Sequence, residues 1–161
     1  MQLTINDYLI DKARAELTLY MILEAHRLQK ELGFGYVESD TAPGKFNLLK
    51  AAFAHSLRTC EPLPVYAGGS DNTIYTSKEG NWAFRFCHDV AHVLLNAGFG
   101  SADEAKVSKY QADRVAKHFG KGSLEHRLFV ADTLGQVAYY AVHNDFPENQ
   151  LAFVRSMLTR H

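Results

Sequence analysis

The chain of 161 residues is 47% hydrophobic and 22% charged, with a formal net charge of −1. Its length allows one domain with a substantial core, and the balanced charge gives no basic excess for binding nucleic acid. No apolar run reaches the roughly 18 residues that span a membrane, and the start of the chain lacks the apolar region of a signal peptide. These features predict a single cytoplasmic domain over residues 1–161, without nucleic-acid or membrane partners and with its oligomeric state open.

Six segments with helical spacing of apolar residues are separated by stretches that contain glycine or proline. Asn6 and Ser123 stand where helix caps are favoured, and Pro147 suits the first turn of a helix. We therefore predict an all-α, or mostly α, domain with helices at about 5–32, 45–58, 81–96, 101–119 and 123–143, and a last one from 147 onward.

The stretches between these helices are predicted to be loops, with one exception. Residues 33–44 contain three glycines and a proline, which favour a loop. In the longer stretch 60–80, the pieces LPVYAG and TIYTS are typical of extended segments and predict a short hairpin near 62–77. A connection of about twenty residues is unusual in a compact domain, so we expect it to form a lid or a pocket wall.

The strongest chemical signal is a pair of histidines, His88 and His92, four residues apart in the third predicted helix. This spacing places both imidazoles on one helix face about one turn apart, the geometry by which two histidines bind one metal ion. Glu104, at the start of the next helix, can supply a third ligand. Arg85 lies three residues before His88, where it can hold a carboxylate or phosphate group of a substrate.

These residues also carry a resemblance. The pattern H-D-x-x-H-x11-E, formed by His88, Asp89, His92 and Glu104, resembles the zinc-site motif of the mostly helical metalloprotein family required for ubiquinone biosynthesis. The context NWAFRFCHDVAH, with the later pieces ADTLGQ and FPENQLAFV, is similar to a group of small phage-encoded proteins. The resemblance implies a helical protein with zinc at the motif. It does not extend to the lipid-binding body of the biosynthetic family, so a quinone substrate is not implied.

A second family offers a different ligand set. HD-domain phosphohydrolases are helical and bind a metal through the pattern His…His-Asp…Asp, and ADTL resembles the neighbourhood of their last aspartate. The residues that would fill the pattern are His55, His88, Asp89 and Asp132. This alternative implies hydrolysis of nucleotide phosphate esters, and it leaves His92 and Glu104 without roles.

Three acidic residues have more than one interpretation. Glu104 stands three residues after Ser101, so the two residues can also form a capping box. Asp103 is expected to be a first-turn helix charge and no more. Asp132 lies in an apolar run and needs a partner if it is buried. We expect it to accept the second ring N–H of a ligating histidine.

Together these observations predict a metal-dependent hydrolytic enzyme with His88, His92 and Glu104 as the metal ligands. Asp89 would act as the base that takes a proton from the attacking water, and a small anionic substrate would bind near Arg85. Zinc is the first expectation, while Mn and Fe also suit two histidines and a carboxylate. The alternative is a non-enzymatic phage accessory protein in which a structural metal joins two helices.

Overall fold

Six helices carry most of the chain in the computed structural model, which describes residues 7–159. The helices are α1 (Asp7–Leu32), α2 (Phe46–Thr59), α3 (Lys78–Leu94), α4 (Ser101–Phe119), α5 (Leu124–His143) and α6 (Gln150–Thr159). Two short strands, β1 (Tyr36–Ser39) and β2 (Leu63–Tyr66), complete the fold. The predicted mostly α fold with about six helices is confirmed. The predicted cap Asn6 lies outside the described residues.

Helix α3 lies against α1, and α4 lies against α5. Apolar side chains of α1 and α3, among them Leu17, Met21, Phe86 and Val90, are almost completely buried between them. The two helices approach closely at Gly80, where an added Cβ would stand 2.5 Å from the Thr18 Cγ2 atom. The result is that α3, which carries the histidine pair, is held on several sides by the core.

The predicted hairpin near 62–77 is wrong in both its partner and its direction. Residues 63–66 are a strand, but they pair in parallel with β1, which lies in the segment predicted to be a loop. Parallel strands need a crossover connection, and α2 provides it. The TIYTS piece is not a strand, because Arg14 of α1 donates hydrogen bonds to the carbonyl groups of Ile74 and Thr73 at 2.9 and 3.2 Å.

Two helices begin at other residues than predicted, because their N-terminal caps lie elsewhere in the sequence. Helix α3 begins at Lys78, before the predicted residue 81, because the Ser77 hydroxyl accepts the Gly80 N–H at 3.0 Å. Helix α6 begins at Gln150, after Pro147, and the Asn149 side chain accepts the Ala152 N–H. The predicted Ser123 cap of α5 is confirmed.

Over the residues that the structure describes, no helix is both long enough and apolar enough to cross a membrane.

Candidate metal centre

Three side chains from α3 and α4 bring their donor atoms to one point. The Nε2 atoms of His88 and His92 are 3.1 Å apart. The Glu104 Oε2 atom lies 3.0 Å from the first and 3.3 Å from the second. Ligand atoms about 2.1 Å from a tetrahedral ion lie about 3.4 Å apart, and those around an octahedral ion about 3.0 Å apart. The triangle therefore has the size that a divalent metal ion requires, and this group could hold one.

The hydrogen bond made by Nδ1 of each histidine determines whether Nε2 carries a hydrogen or a free lone pair. His92 Nδ1 lies 2.8 Å from the Ala97 carbonyl oxygen, which can only accept, so Nδ1 carries the hydrogen. His88 Nδ1 lies 2.7 Å from Gln111 Oε1 and donates to it in the same way. In the neutral rings each Nε2 atom then carries a lone pair that faces the Glu104 carboxylate oxygen. Three acceptors at this distance repel one another unless a cation, either a proton or a metal ion, lies among them.

The turn between α3 and α4 positions the group. Helix α3 ends at Leu94, and Asn96 adopts a left-handed conformation with φ 47°. This conformation directs the Ala97 carbonyl back towards the His92 ring. The Asp103 carboxylate then accepts the Gly98 N–H at 2.9 Å and fixes the turn to the first turn of α4. The prediction that Asp103 is only a helix charge is therefore wrong.

The group is buried on one side and open on the other. His92 is 1% exposed, whereas the side chains of His88 and Glu104 are 19% and 29% exposed. The rings of Phe46 and Phe99 have their centroids 6.4 and 5.0 Å from that of His92. A metal ion at this point would have an apolar wall behind it and an exposed side from which a further ligand can approach.

Protons and metal ions compete for these three side chains. Burial alone would raise the pKa of Glu104, but hydrogen bonds from His88 and His92 lower it to about 2. Burial alone would lower the pKa of His92, but its contacts with Glu104 and the Ala97 carbonyl raise it overall. The Glu104 carboxylate therefore favours a proton on His92, and a metal ion would compete with that proton for the same Nε2 atom.

The capping-box interpretation of Glu104 is wrong. The N-cap of α4 is Gly100, Ser101 is the first helical residue, and no side chain caps this helix end. Because the Glu104 carboxylate turns towards His88 and His92, the competition between its two predicted roles is resolved in favour of the histidines.

The alternative ligand set does not assemble. His55 is half-exposed on α2, where its Nε2 atom lies 2.6 Å from the Glu61 carboxylate. Asp132 lies on α5, and neither residue joins the group that the structure brings together. The expected bond from a ligating histidine to Asp132 is also absent among the described residues, since its Oδ1 atom accepts from the Gln136 side-chain amide at 2.7 Å.

The residues that hold the histidines in place of Asp132 are Gln111 and the Ala97 main chain. Gln111 was detectable in the sequence, because it lies seven residues after Glu104 and therefore on the same face of α4. The Ala97 carbonyl left no comparable signal, since any residue type has a carbonyl and its direction depends on the turn at Asn96.

Asp89 and Arg85 lie on α3, one residue after and three residues before His88, and neither belongs to the metal group. Burial raises the pKa of Asp89 to about 6, although the positive charges of His88 and His92 oppose the shift. Among the described residues, no hydrogen bond reaches the Asp89 carboxylate. The Arg85 guanidinium donates to the Tyr66 carbonyl and lies over the Tyr66 ring, 5.2 Å from its centroid. It forms no hydrogen bond to a carboxylate within the described part of the chain.

Asp132 has a measurable consequence for stability. It is 7% exposed, and burial raises its pKa to about 7, although the bond from Gln136 and the charge of Arg85 oppose the shift. Because the folded-state pKa is the higher one, the favourable contribution of protonated Asp132 is complete below about pH 4. It is lost as the pH rises towards about 7.

We expect Asp132→Asn to stabilise the protein at pH 7.5 by on the order of 1–4 kcal/mol and to have little effect at pH 4. The amide oxygen can still accept from Gln136, but it carries no charge. Urea unfolding at both pH values, with EDTA present so that metal binding does not contribute, measures the difference. If the free energy of unfolding depends on pH in the same way in the wild type and in Asp132→Asn, then ionisation of Asp132 does not destabilise the folded state.

A scan against protein-family models finds no match for this chain, and comparisons with curated proteins and with solved structures find none either.

Proposed function

We propose that the chain is a metal-dependent hydrolase that acts on a small anionic substrate. The observation that carries the proposal is the convergence of two histidine Nε2 atoms and one Glu104 oxygen within 3.3 Å of one another. Zinc is the first candidate, because two nitrogens and an oxygen in this geometry are a common zinc set. Mn and Fe have the same ligand preference and remain alternatives.

The exposure of the group favours catalysis over a structural role. Structural zinc sites have four protein ligands and are closed. Among the described residues, the His, Cys, Asp and Glu side chains supply three ligands at this point, and two of them are partly exposed. A bound divalent ion supplies Lewis acidity and lowers the pKa of a coordinated water.

Asp89 supports the hydrolytic assignment by its position and its surroundings. It follows His88 directly and lies three residues before His92, and the charges of His88, His92 and Glu104 all affect its pKa, so its carboxylate lies near the group. In the proposed reaction this carboxylate accepts the proton of the attacking water. Because no described side chain donates a hydrogen bond to it, the carboxylate is available for this task.

Arg85 supports the choice of an anionic substrate. One guanidinium N–H group donates to the Tyr66 carbonyl, which holds the side chain against β2. The remaining N–H groups are not used by the Asp89 or Asp132 carboxylates, although both lie close enough to affect the pKa of Arg85. These donors can bind a phosphate or carboxylate group on the substrate.

The metal content of the purified protein tests the proposal first. We expect about one equivalent of a transition metal per chain, the stoichiometry of one three-ligand site. Elemental analysis after purification in metal-free buffer measures it. A chain that takes up neither added Zn nor added Mn would contradict the proposal.

The role of the metal is tested next. Chelation should remove activity and leave the protein folded, whereas the structural alternative requires unfolding on chelation. Circular dichroism before and after chelation separates the two. Nucleoside phosphates, phosphodiesters and carboxylic esters, each with Zn, Mn or Fe, form the substrate panel.

A further inference from the structure

A second cleft lies between β1, the first turns of α3 and the last turns of α1. Its volume is about 500 Å³, within the range of small-molecule sites. None of its lining residues belongs to the metal group. The lining residues that bear on its chemistry are His26, Tyr36, Glu38, Cys60, Glu79 and Trp82.

Local geometry explains why these side chains meet. Tyr36 and Glu38 are two residues apart on a strand and therefore point to the same side of β1. Glu79 and Trp82 are three residues apart at the start of α3 and share a helix face. The Tyr36 ring packs on the ring of Phe86, with the centroids 5.2 Å apart, and so fixes the strand to the helix.

The cleft is negatively charged. Glu38 and Glu79 are both exposed carboxylates, and the described residues that line the cleft include no lysine or arginine. Together with burial, which has the larger effect, these two carboxylates raise the pKa of Tyr36 to about 12. A cation is therefore the favoured occupant on electrostatic grounds.

Trp82 gives the cleft an aromatic wall. Trp82 is partly exposed, but its indole nitrogen is completely buried and has no hydrogen-bond acceptor among the described residues. The exposed part of the side chain is therefore its carbon framework. Arginine-type cations stack on aromatic rings and bind carboxylates through several N–H groups at once.

We propose that this cleft binds a guanidinium group, with the planar cation against the Trp82 ring and its N–H groups directed to Glu38 and Glu79. The guanidinium can belong to a free small molecule or to an arginine side chain of a partner polypeptide. The proposal does not depend on the metal group, because the two sites share no residue.

Two properties of the chain make the test specific. Trp82 is the one tryptophan in the sequence, so intrinsic tryptophan fluorescence reports on the cleft alone. Of the two cysteines, Cys60 is exposed and lines the cleft, whereas Cys87 is buried and burial raises the pKa of its thiol. The rate of alkylation by iodoacetamide therefore reports on Cys60.

The matched probes are N-butylguanidinium and the uncharged N-butylurea. We expect N-butylguanidinium to change the Trp82 fluorescence saturably and to slow alkylation of Cys60, with N-butylurea at least about tenfold weaker. The double variant Glu38→Gln/Glu79→Gln should weaken N-butylguanidinium binding at least about tenfold. The control Glu148→Gln, an exposed glutamate between α5 and α6, should leave binding unchanged.

The source of the guanidinium is tested with acetyl-Gly-Arg-Gly-amide. Binding at least about tenfold tighter than that of N-butylguanidinium indicates an arginine of a polypeptide, and equal binding indicates a small molecule. Equal affinity for the charged and uncharged probes, no saturable response in either readout, or unchanged binding by the double variant would overturn the proposal. All titrations are repeated after chelation, so that a failure here is separable from a failure of the metal proposal.

Discussion

Glu104→Gln should remove tight metal binding, with a loss larger than the roughly 10–100-fold that follows removal of an outer hydrogen-bond partner. The amide has the shape of the carboxylate but lacks its charge, so the histidine lone pairs lose their anionic partner. His92→Ala should have the same effect on binding. Because His92 is buried, the glutamine variant is the cleaner test of the two. Calorimetric titration of chelated protein with Zn or Mn measures both.

The matched control is His55→Ala. This exposed histidine of α2 pairs with Glu61, which follows the helix, and lies outside the metal group, so its loss should leave metal affinity unchanged within about twofold. The HD-domain ligand set requires the opposite pattern. If His55→Ala empties the site while Glu104→Gln retains the metal, the assignment of ligands given above is wrong.

The helical part of the fold was predictable because its signals are local. Apolar spacing identifies each helix, and glycines such as Gly33 and Gly120 directly follow the helices that they end. The sheet was not predictable in the same way. Its strands have four residues each, and β1 pairs with β2 only because α2 reverses the path of the chain between them. Such a pairing depends on tertiary packing, which the pattern of a four-residue segment does not encode.

The residues of the metal group were largely predictable from the sequence. The four-residue spacing of His88 and His92 fixes their relative direction once the helix forms. Whether Glu104 reaches them depends on the turn between α3 and α4, which is set by Asn96 and by the bond from Gly98 to Asp103. The spacing of Ser101 and Glu104 in the sequence did not show whether Glu104 binds the helix cap or faces the histidines. The structure of this turn directs it to the histidines.

The guanidinium cleft has no sequence motif at all. Its carboxylates and rings come from β1 and the start of α3, about forty residues apart in the chain, and tertiary contacts such as the packing of Tyr36 on Phe86 bring them together. The position of β1 in a segment predicted to be a loop explains why the cleft was not anticipated.

Asp89→Asn should retain the metal and lose most of the turnover, by about 10²–10⁴-fold. The amide nearly preserves the shape of the side chain, and Asp89 is not one of the three donors, so metal content measured by elemental analysis should equal that of the wild type. The amide cannot accept the proton of the attacking water, so the loss should appear in kcat. The measurement uses whichever substrate of the panel the wild type hydrolyses.

Arg85→Ala separates substrate binding from proton transfer. It should raise KM for an anionic substrate with a smaller change in kcat, because the guanidinium binds the charged group and transfers no proton. Metal content should again match the wild type. If Asp89→Asn turns over the same substrate as fast as the wild type, another group takes the proton and Asp89 has no part in the chemistry. If Arg85→Ala leaves KM unchanged, the anionic group of the substrate binds elsewhere.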